Sequence, residues 1–196
     1  MNATNFAFGT VGTGDKLPFM RSMNSAFVDI ICLDPLFNSN RDYAAPIGSE
    51  VADAAFKDTW TPSDVDHHEH GELAGRNPAA CSVIASVRQA HGKSMQSYLI
   101  MLAVRLFEIR RVLKAERSIY LHCDDVAGPY LRFLMDRIFR KVNLRSEFIL
   151  KRAAADNDCK QGRMQHGRKY YVLLYYSKGV LDVDSPFNHL GDVPYR

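Results

Sequence analysis

Residues 27–43 read Phe-Val-Asp-Ile-Ile-Cys-Leu-Asp-Pro-Leu-Phe-Asn-Ser-Asn-Arg-Asp-Tyr, and this stretch decides the fold class. A run rich in Val, Ile and Leu predicts a β-strand that is buried on both faces, as in the middle of a parallel sheet. Asp34 and Pro35 end this strand, because proline fixes the next backbone step and cannot continue the ladder. Ligands in open α/β sheets bind beyond the carboxyl ends of strands, so the stretch predicts a site at Asp34 and Phe37.

The remainder of the chain alternates strands with helices, which predicts one α/β domain over residues 1–196 with a mainly parallel sheet and flanking helices. Leucines at helical spacing predict a helix over Met95–Leu113. Residues 38–93 are rich in Gly, Pro, Asp and His and are predicted to form a long irregular insertion. The other predicted elements are strands at Ser118–His122, Glu147–Lys151 and Tyr170–Tyr176 and a helix from Gly128 to about Phe139.

Composition places the chain among ordinary globular proteins, with 46% hydrophobic and 24% charged residues. No apolar run is long enough to cross a bilayer, and the N-terminus lacks the basic start and apolar stretch of a signal peptide. The four cysteines are far apart in sequence, which favours reduced thiols in a cytoplasmic protein over disulfides or a zinc site. His67, His68 and His70 have no Cys or second His pair at zinc-finger spacing, so we predict no metal site.

Charge is distributed unevenly along the chain. Residues 1–100 carry 7 Lys/Arg against 11 Asp/Glu, whereas residues 101–196 carry 18 against 11. The basic excess is densest from Arg137 to Lys169. A clustered basic face attracts phosphate backbones without reading sequence, and a solvated surface without a partner is the equally simple alternative.

The run Asp34-Pro35-Leu36-Phe37 resembles the Asp-Pro-Pro-Phe/Tyr catalytic motif of the DNA amino-methyltransferases, which methylate adenine N6 or cytosine N4. The resemblance extends over about residues 14–178, in the order of the Mod-like restriction-modification enzymes, whose catalytic motif precedes the cofactor loop. The other segments that carry it are Gly14–Leu17, Ala55–Trp60, Ser118–Asp124, Tyr130–Phe139, Phe148–Arg152 and Val172–Lys178.

This resemblance implies a partial Rossmann-like methyltransferase fold and transfer of a methyl group from S-adenosylmethionine to a base flipped out of double-stranded DNA. It implies catalytic roles for Asp34, Pro35 and Phe37: the Asp34 carboxylate and the Pro35 carbonyl would accept hydrogen bonds from the amino group, and Phe37 would stack on the base. Asp15 and Asp34 are the implied cofactor-binding residues. Phenylalanine in the motif favours adenine N6 over cytosine N4 by the same analogy.

DNA contacts are predicted at two places. Asn38, Ser39 and Asn40 follow the catalytic motif and are suited to the base edge or the backbone. Basic residues near the third predicted strand are candidates for DNA phosphates, with a solvated basic loop as the alternative; they are Lys151, Arg152, Lys160, Arg163, Arg168 and Lys169. His91 and His122 are predicted to be packing or surface residues.

Three positions depart from the family pattern: Leu36 replaces the second proline, Asp125 follows Cys123-Asp124 in place of proline, and Tyr170-Tyr171 replaces a His-Asp pair. The target-recognition region and the Phe-x-Gly-x-Gly cofactor loop of the family have no counterpart in the sequence. Gly9–Gly14 is rich in glycine, but it is not the cofactor loop, because no strand and helix surround it. We therefore predict a truncated or split catalytic half that requires a second chain. The alternative is a catalytically degenerate DNA- or partner-binding relic, and an unrelated α/β enzyme or RNA methyltransferase is a third. An exposed sheet edge would favour the split enzyme, and a self-capped sheet would favour the relic.

Overall fold

The structure, a computed structural model, describes residues 6, 9–38, 41–44, 55–58, 60–61, 67–151 and 170–179. Within these residues it contains four helices, α1 to α4, and six strands, β1 to β6. In chain order they are α1 (Lys16–Ser22), β1 (Val28–Leu33), β2 (Arg41–Ala44), β3 (Ala55–Asp58), α2 (His67–Arg76), α3 (Pro78–Val112), β4 (Leu113–Cys123), α4 (Gly128–Met135), β5 (Leu144–Lys151) and β6 (Tyr170–Ser177). One π-helical turn, Asp136–Arg140, and one 3-10 turn, Lys141–Asn143, connect α4 to β5.

The main sheet has four strands in the order β1-β4-β6-β5. Strand β1 pairs with β4 in parallel, and β6 pairs antiparallel with both β4 and β5, so β1, β4 and β5 run in one direction and β6 runs in the other. The sheet is mixed, and the prediction of a mainly parallel sheet was wrong. The alternation of strands and helices along the sequence does not fix the direction of β6, which is set by its pairing with the distant strand β4 and with β5.

Helices α3 and α4 cover one face of this sheet and form the core with it. The predicted leucine periodicity of α3 is confirmed, because Leu99, Leu102, Leu106 and Ile109 are all buried. On the sheet side, the residues that join this core are Ile119, Leu121, Cys123, Leu174 and Tyr176. This helix-covered face fixes the sheet, and therefore fixes the position of the residues at the strand ends.

Helix α3 is much longer than predicted. It begins at Pro78, where the side chain of Asn77 caps it by accepting a hydrogen bond from the Ala80 N–H at 3.0 Å. Gly92 interrupts it with a φ of 83°, which bends the chain between two helical halves. The prediction of an irregular insertion over residues 38–93 was therefore wrong for much of that range, which also contains the antiparallel pair β2–β3 and helix α2.

The opposite face of the sheet is open in the described part of the chain. Strand β1 was predicted to be buried on both faces, but Ile30 is 53% exposed and Cys32 is also exposed. Among the described residues β1 pairs only with β4, so it is an edge strand there. No described helix is long and apolar enough to cross a membrane. The open face and the free edge of β1 both lie beside the residue that ends this strand, Asp34.

Candidate active site at the carboxyl end of strand β1

Asp34 follows the last residue of β1, next to the corresponding position of β4. The parallel register pairs Cys32 with Tyr120 and Leu33 with Leu121, which brings Asp34 alongside His122. The Oδ1 atom of Asp34 lies 2.8 Å from Nδ1 of His122. The side chain of Asp34 is nevertheless 75% exposed. The carboxylate is thus held from one side and is open to a ligand on the other.

His122 orients this carboxylate. With its proton on Nδ1, a neutral imidazole donates a hydrogen bond to the acceptor oxygen of Asp34, and this partner decides the tautomer. The other ring nitrogen, Nε2, is buried and has no hydrogen-bond partner among the described residues. The sequence predicted a packing or surface role for His122, and it missed this contact. The signal available was the position of His122 at the end of the neighbouring strand.

Phe37, His122 and Tyr171 form a three-ring cluster beside Asp34. The ring of Phe37 stacks on Tyr171 with centroids 5.7 Å apart, and it meets His122 edge-on at 5.1 Å. The rings of His122 and Tyr171 are 4.9 Å apart. Tyr171 entered the sequence analysis only as a departure from the family pattern. Its position on β6, close to the β4 residue His122, makes it part of the site.

An open cleft of about 340 Å³ adjoins the carboxylate. Its lining residues are Cys32, Leu33, Asp34, Tyr120, His122 and Leu173. The ring of Tyr120 stacks on Tyr175 at 4.6 Å, and burial together with Tyr175 raises the pKa of Tyr120. Tyr120 therefore remains a neutral phenol at physiological pH. Flat apolar walls with one carboxylate at the rim suit a flat ring that carries a hydrogen-bond donor.

The loop after Phe37 is attached to the rest of the protein by Asn38. This residue has a φ of 57°, in the left-handed region that asparagine tolerates better than most residues. Its side-chain Oδ1 accepts hydrogen bonds from the Trp60 N–H and from the hydroxyl of Ser94, each at 3.1 Å. Asn38 is buried, so its described contacts are structural, and its predicted contact with DNA stays a prediction. Ser39 and Asn40 lie outside the described residues.

Asp15 has a different environment from that of Asp34. It is the N-cap of α1, where Oδ1 accepts a hydrogen bond from the Leu17 N–H at 3.0 Å and pairs with Arg105 at 2.8 Å. Burial acts to raise the pKa of Asp15, but the Leu17 hydrogen bond and the Arg105 guanidinium outweigh it and lower the pKa below its ordinary value. Asp15 does not line the cleft, and residues 9–14 contain no strand. Its role in cofactor binding stays a prediction.

The predicted phosphate contacts are described at one position only. Lys151 is the exposed last residue of β5. Arg152, Lys160, Arg163, Arg168 and Lys169 lie outside the described residues. His67, His68 and His70, which the sequence placed in a loop, belong to helix α2. The described candidate site therefore brings Asp34 and Phe37 together with two residues that the sequence did not assign to it, His122 and Tyr171. Pro35 follows Asp34 in the chain, and its catalytic role stays a prediction.

No family model matches this chain. A curated protein that it does match is the Mod subunit of the type III restriction-modification enzyme StyLTI from Salmonella typhimurium strain LT2. The two are 27% identical over 177 residues, which cover 85% of this chain and 24% of that subunit. The chain thus spans about a quarter of the length of the relative that it matches. The similarity supports, at this coarse level, the resemblance to Mod-like restriction-modification proteins seen in the sequence.

Proposed function

We propose that this chain carries the catalytic part of an S-adenosylmethionine-dependent DNA methyltransferase that acts on the N6 amino group of adenine. The observation that supports it best is the carboxylate of Asp34, which His122 holds at 2.8 Å while leaving it largely exposed beside the cleft. Similarity to a restriction-modification Mod subunit supports the general reaction, DNA methylation. The specificity for adenine, the use of S-adenosylmethionine and the need for a second chain are parts of the proposal.

An exocyclic amino group is a weak nucleophile, because its lone pair is delocalised into the ring. In the proposed reaction the amino hydrogens point to two acceptors, a carboxylate oxygen of Asp34 and the backbone carbonyl of Pro35. These contacts would make the nitrogen more tetrahedral and aim its lone pair at the sulfonium methyl group. The N–C bond would form as the S–C bond breaks, a neutral thioether would leave, and the surplus amino proton would pass to the Asp34 carboxylate or to solvent. The gain is one of position and electrostatics, with no covalent intermediate.

His122 is proposed to act as a positioning residue. It occupies Oδ1 of Asp34 from the β4 side, so the other oxygen is directed toward the cleft. A fixed carboxylate loses less orientational freedom when the base binds.

The base itself is proposed to stack on Phe37. A base in duplex DNA must flip out to reach a strand-end site of this kind. The ring of Phe37 is already ordered by Tyr171 and His122, so it offers a fixed aromatic surface next to His122, which lines the cleft. The substitution of proline by Leu36 leaves this loop with an extra N–H, and Asn38 supplies the anchoring through Trp60 and Ser94.

S-adenosylmethionine supplies an activated methyl group on a sulfonium cation. The exposed carboxylate of Asp34 suits a nearby cation, whereas Asp15 has its Oδ1 engaged by Leu17 and Arg105. We propose that a second polypeptide segment supplies the cofactor loop and the target-recognition region. Two observations support this: β1 is an edge strand among the described residues, and the curated protein that the chain matches is itself one subunit of a restriction-modification enzyme. Double-stranded DNA is the proposed substrate, in the cytoplasm.

The test is binding of fluorescent single-stranded oligodeoxyadenosine. The comparison is an oligodeoxynucleotide whose base is unsubstituted purine, which lacks the amino group of adenine. We expect the adenine oligomer to bind the 196-residue chain more tightly than the purine oligomer does. Asp34→Ala should weaken binding of the adenine oligomer about tenfold and make the two affinities equal. Asp29→Ala is the matched control, because Asp29 lies on the same strand but pairs with Lys114 and Arg117. Equal affinity for both oligomers, or an effect of Asp29→Ala as large as that of Asp34→Ala, would contradict the proposed site.

A second measurement is isothermal titration with S-adenosylmethionine. We expect weak or no binding by the single chain, and no methyl transfer to DNA without a second segment, because the described residues hold no cofactor loop. Robust turnover by the purified chain alone would refute the division between two segments but leave the role of Asp34 intact.

The second candidate function is a catalytically inactive DNA- or partner-binding protein. The stacking of Tyr171 on Phe37 favours it, because Tyr171 occupies ring surface on which a flipped base would stack. The same oligomer experiment separates the two functions. An inactive DNA-binding protein would bind both oligomers equally, lose affinity with salt, and be indifferent to Asp34→Ala.

A further inference from the structure

Helix α4 and the two turns that follow it present a row of exposed side chains on the outer side of the helix layer. Exposed positions recur every four residues, as they do along one face of a helix, at Pro129, Phe133, Arg137 and Lys141. Two further exposed residues, Arg140 and Val142, adjoin the end of this row. We call the surface formed by Phe133, Arg137, Arg140, Lys141 and Val142 the α4 stripe. Its two apolar members are unusually accessible, Phe133 at 63% and Val142 at 68%.

The α4 stripe carries positive charge that the protein does not neutralise. Residues 128–143 contain four basic residues and one acidic residue, Asp136. The Asp136 carboxylate is already engaged, because its Oδ1 accepts hydrogen bonds from Arg132 and from the Tyr176 hydroxyl. Within the described part of the chain, no ion pair involves Arg137, Arg140 or Lys141. Neighbouring cations repel one another, so an anionic partner would be attracted to this surface.

The backbone beneath these cations has an unusual conformation. Asp136–Arg140 forms a π-helical turn, which is rare and is frequent at functional sites. Arg140 ends this turn with a φ of 77°, a value that residues with a side chain seldom adopt. Strained residues of this kind cluster where a protein binds a ligand or a partner. The conformation of Arg140 therefore supports a binding role for the α4 stripe.

The α4 stripe lies far from the cleft at Asp34. Arg140 and Lys141 precede Leu144, which is level with Tyr176 and, through it, with Ile119 near the start of the paired part of β4. Asp34 lies at the other end of that strand, and its cleft opens on the face of the sheet that no described helix covers. DNA with a base in the cleft would therefore be on the opposite side of the sheet from the α4 stripe.

We propose that the α4 stripe binds an acidic amphipathic segment of a partner protein. Carboxylates of that segment would pair with the three cations, and its apolar side chains would pack on Phe133 and Val142. Clusters of arginine recognise acidic motifs, and arginine and aromatic residues are enriched at protein interfaces. A phosphate backbone would use the cations but would leave the aliphatic side chain of Val142 without a partner. The inference does not depend on the proposed methyltransferase activity.

Fluorescence anisotropy with the full chain and labelled peptides tests the proposal. The probe is a helical peptide of Glu, Leu and Ala whose leucines lie on one face. The comparisons are a peptide of the same composition in scrambled order and a single-stranded oligothymidylate. We expect the amphipathic peptide to bind about tenfold more tightly than the scrambled one, because only the first presents its apolar side chains together. Oligothymidylate should bind more weakly than the amphipathic peptide.

Substitutions locate the binding. Arg137→Glu and Phe133→Ser should each weaken binding of the amphipathic peptide about tenfold. Lys16→Glu is the matched control for charge, since Lys16 is an exposed cation on α1, and Ile30→Ser is the control for the lost apolar surface. The proposal would be overturned by no binding, by equal binding of the scrambled peptide, or by losses no larger than those of the controls. Tighter binding of oligothymidylate that requires Arg137 would assign the surface to nucleic acid instead.

Charge reversal separates a lost contact from a damaged fold. In a basic version of the amphipathic peptide, Lys replaces every Glu, and this peptide should bind the wild-type chain poorly. A chain that carries both Arg137→Glu and Arg140→Glu should bind the basic peptide about tenfold more tightly than wild type does. A double variant that does not gain affinity for the basic peptide would contradict pairing at the α4 stripe.

Discussion

Asp34 and Glu108 are two carboxylates with opposite surroundings. The Glu108 side chain is 3% exposed and lies between two guanidinium groups, with Oε1 2.9 Å from Arg76 and Oε2 2.7 Å from Arg111. Asp34 is 75% exposed and has the imidazole of His122 at one oxygen. The difference distinguishes a structural carboxylate from one suited to binding a ligand. A buried charge must be fully paired, whereas a carboxylate that binds a ligand keeps one oxygen accessible.

The region of Glu108 joins several elements. Arg111 donates to the backbone carbonyls of Met20 and Met23, which attaches the end of α1 to the end of α3. Arg76 brings the last turn of α2 to the same carboxylate. Three helices thus depend on Glu108, while the contacts of Asp34 involve the ends of two strands. Four measurements would break or sharpen this contrast.

Glu108→Ala should have the largest effect on stability. It leaves Arg76 and Arg111 without their shared carboxylate and opens a gap under α2, so we expect a loss of about 3 kcal/mol in the free energy of unfolding. Urea denaturation followed by circular dichroism measures it. Arg88→Ala, on an exposed part of α3, is the control and should change little. A loss below that of an ordinary surface substitution would remove the contrast between the two carboxylates.

Low pH should remove part of the stability that ionised Glu108 contributes. Burial acts to raise the pKa of Glu108, but the hydrogen bonds and charges of Arg111 and Arg76 outweigh it and lower the pKa below its ordinary 4.5. A lowered pKa contributes stability above pH 4.5 that is lost as the pH falls through the lowered value. Urea midpoints measured from pH 7 downward should therefore fall more steeply in this acid range for wild type than for Glu108→Gln. Identical slopes would mean that the pKa of Glu108 is the same in the folded and the unfolded protein.

Tyr176→Phe should have an intermediate effect. The Tyr176 hydroxyl is enclosed on the helix-covered face, where it donates to Asp136 at 2.7 Å and accepts from Arg132 at 2.6 Å. Burial and the Asp136 carboxylate raise the pKa of Tyr176, so the phenol stays protonated. Removing it leaves two charged groups short of one partner, and we expect a loss of about 1.5 kcal/mol. Tyr170→Phe, on an exposed ring, is the control. Equal midpoints for both variants in urea would contradict this expectation.

Asp34→Ala should have the smallest effect on folding. Its side chain is mostly exposed and its one described partner is the imidazole of His122, so we expect a change of about 0.5 kcal/mol or less. The same variant should abolish the preference for adenine described above. A large loss of stability would show that the Asp34–His122 contact is structural and would contradict the role of Asp34 as an open catalytic carboxylate.

The sequence predicted the elements of the sheet better than their arrangement. The ends of β1 and β6 lie close to their predicted positions, because apolar runs bounded by Pro, Gly and charged residues mark strands locally. The direction of β6 depends on its pairing with distant strands, which periodicity does not encode. The start of α3 was not predicted, because the Gly, Pro, Asp and His content of residues 38–93 is typical of a loop. Asn77 and Pro78 are nevertheless a recognisable cap and first-turn residue.

The candidate site shows the same division. Asp34 and Phe37 were predicted from a strand that ends in Asp-Pro, which is local information. His122 and Tyr171 join them only through the register of β4 with β1 and β6, so their role was visible only after the strands were paired. Asn38 is a third case, in which a polar residue near the motif serves the loop itself through Trp60 and Ser94.

The position of β6 between β4 and β5 has a consequence for biosynthesis. A ribosome releases β4 and β5 before β6, so β4 has only β1 as a neighbour and β5 has no described neighbour until Tyr170–Ser177 has been synthesised. A nascent chain that ends before Tyr170 therefore exposes the inner edges of two strands at once. Such edges are prone to pair with other chains, so this protein depends on rapid completion of its last described strand, or on chaperone protection until then.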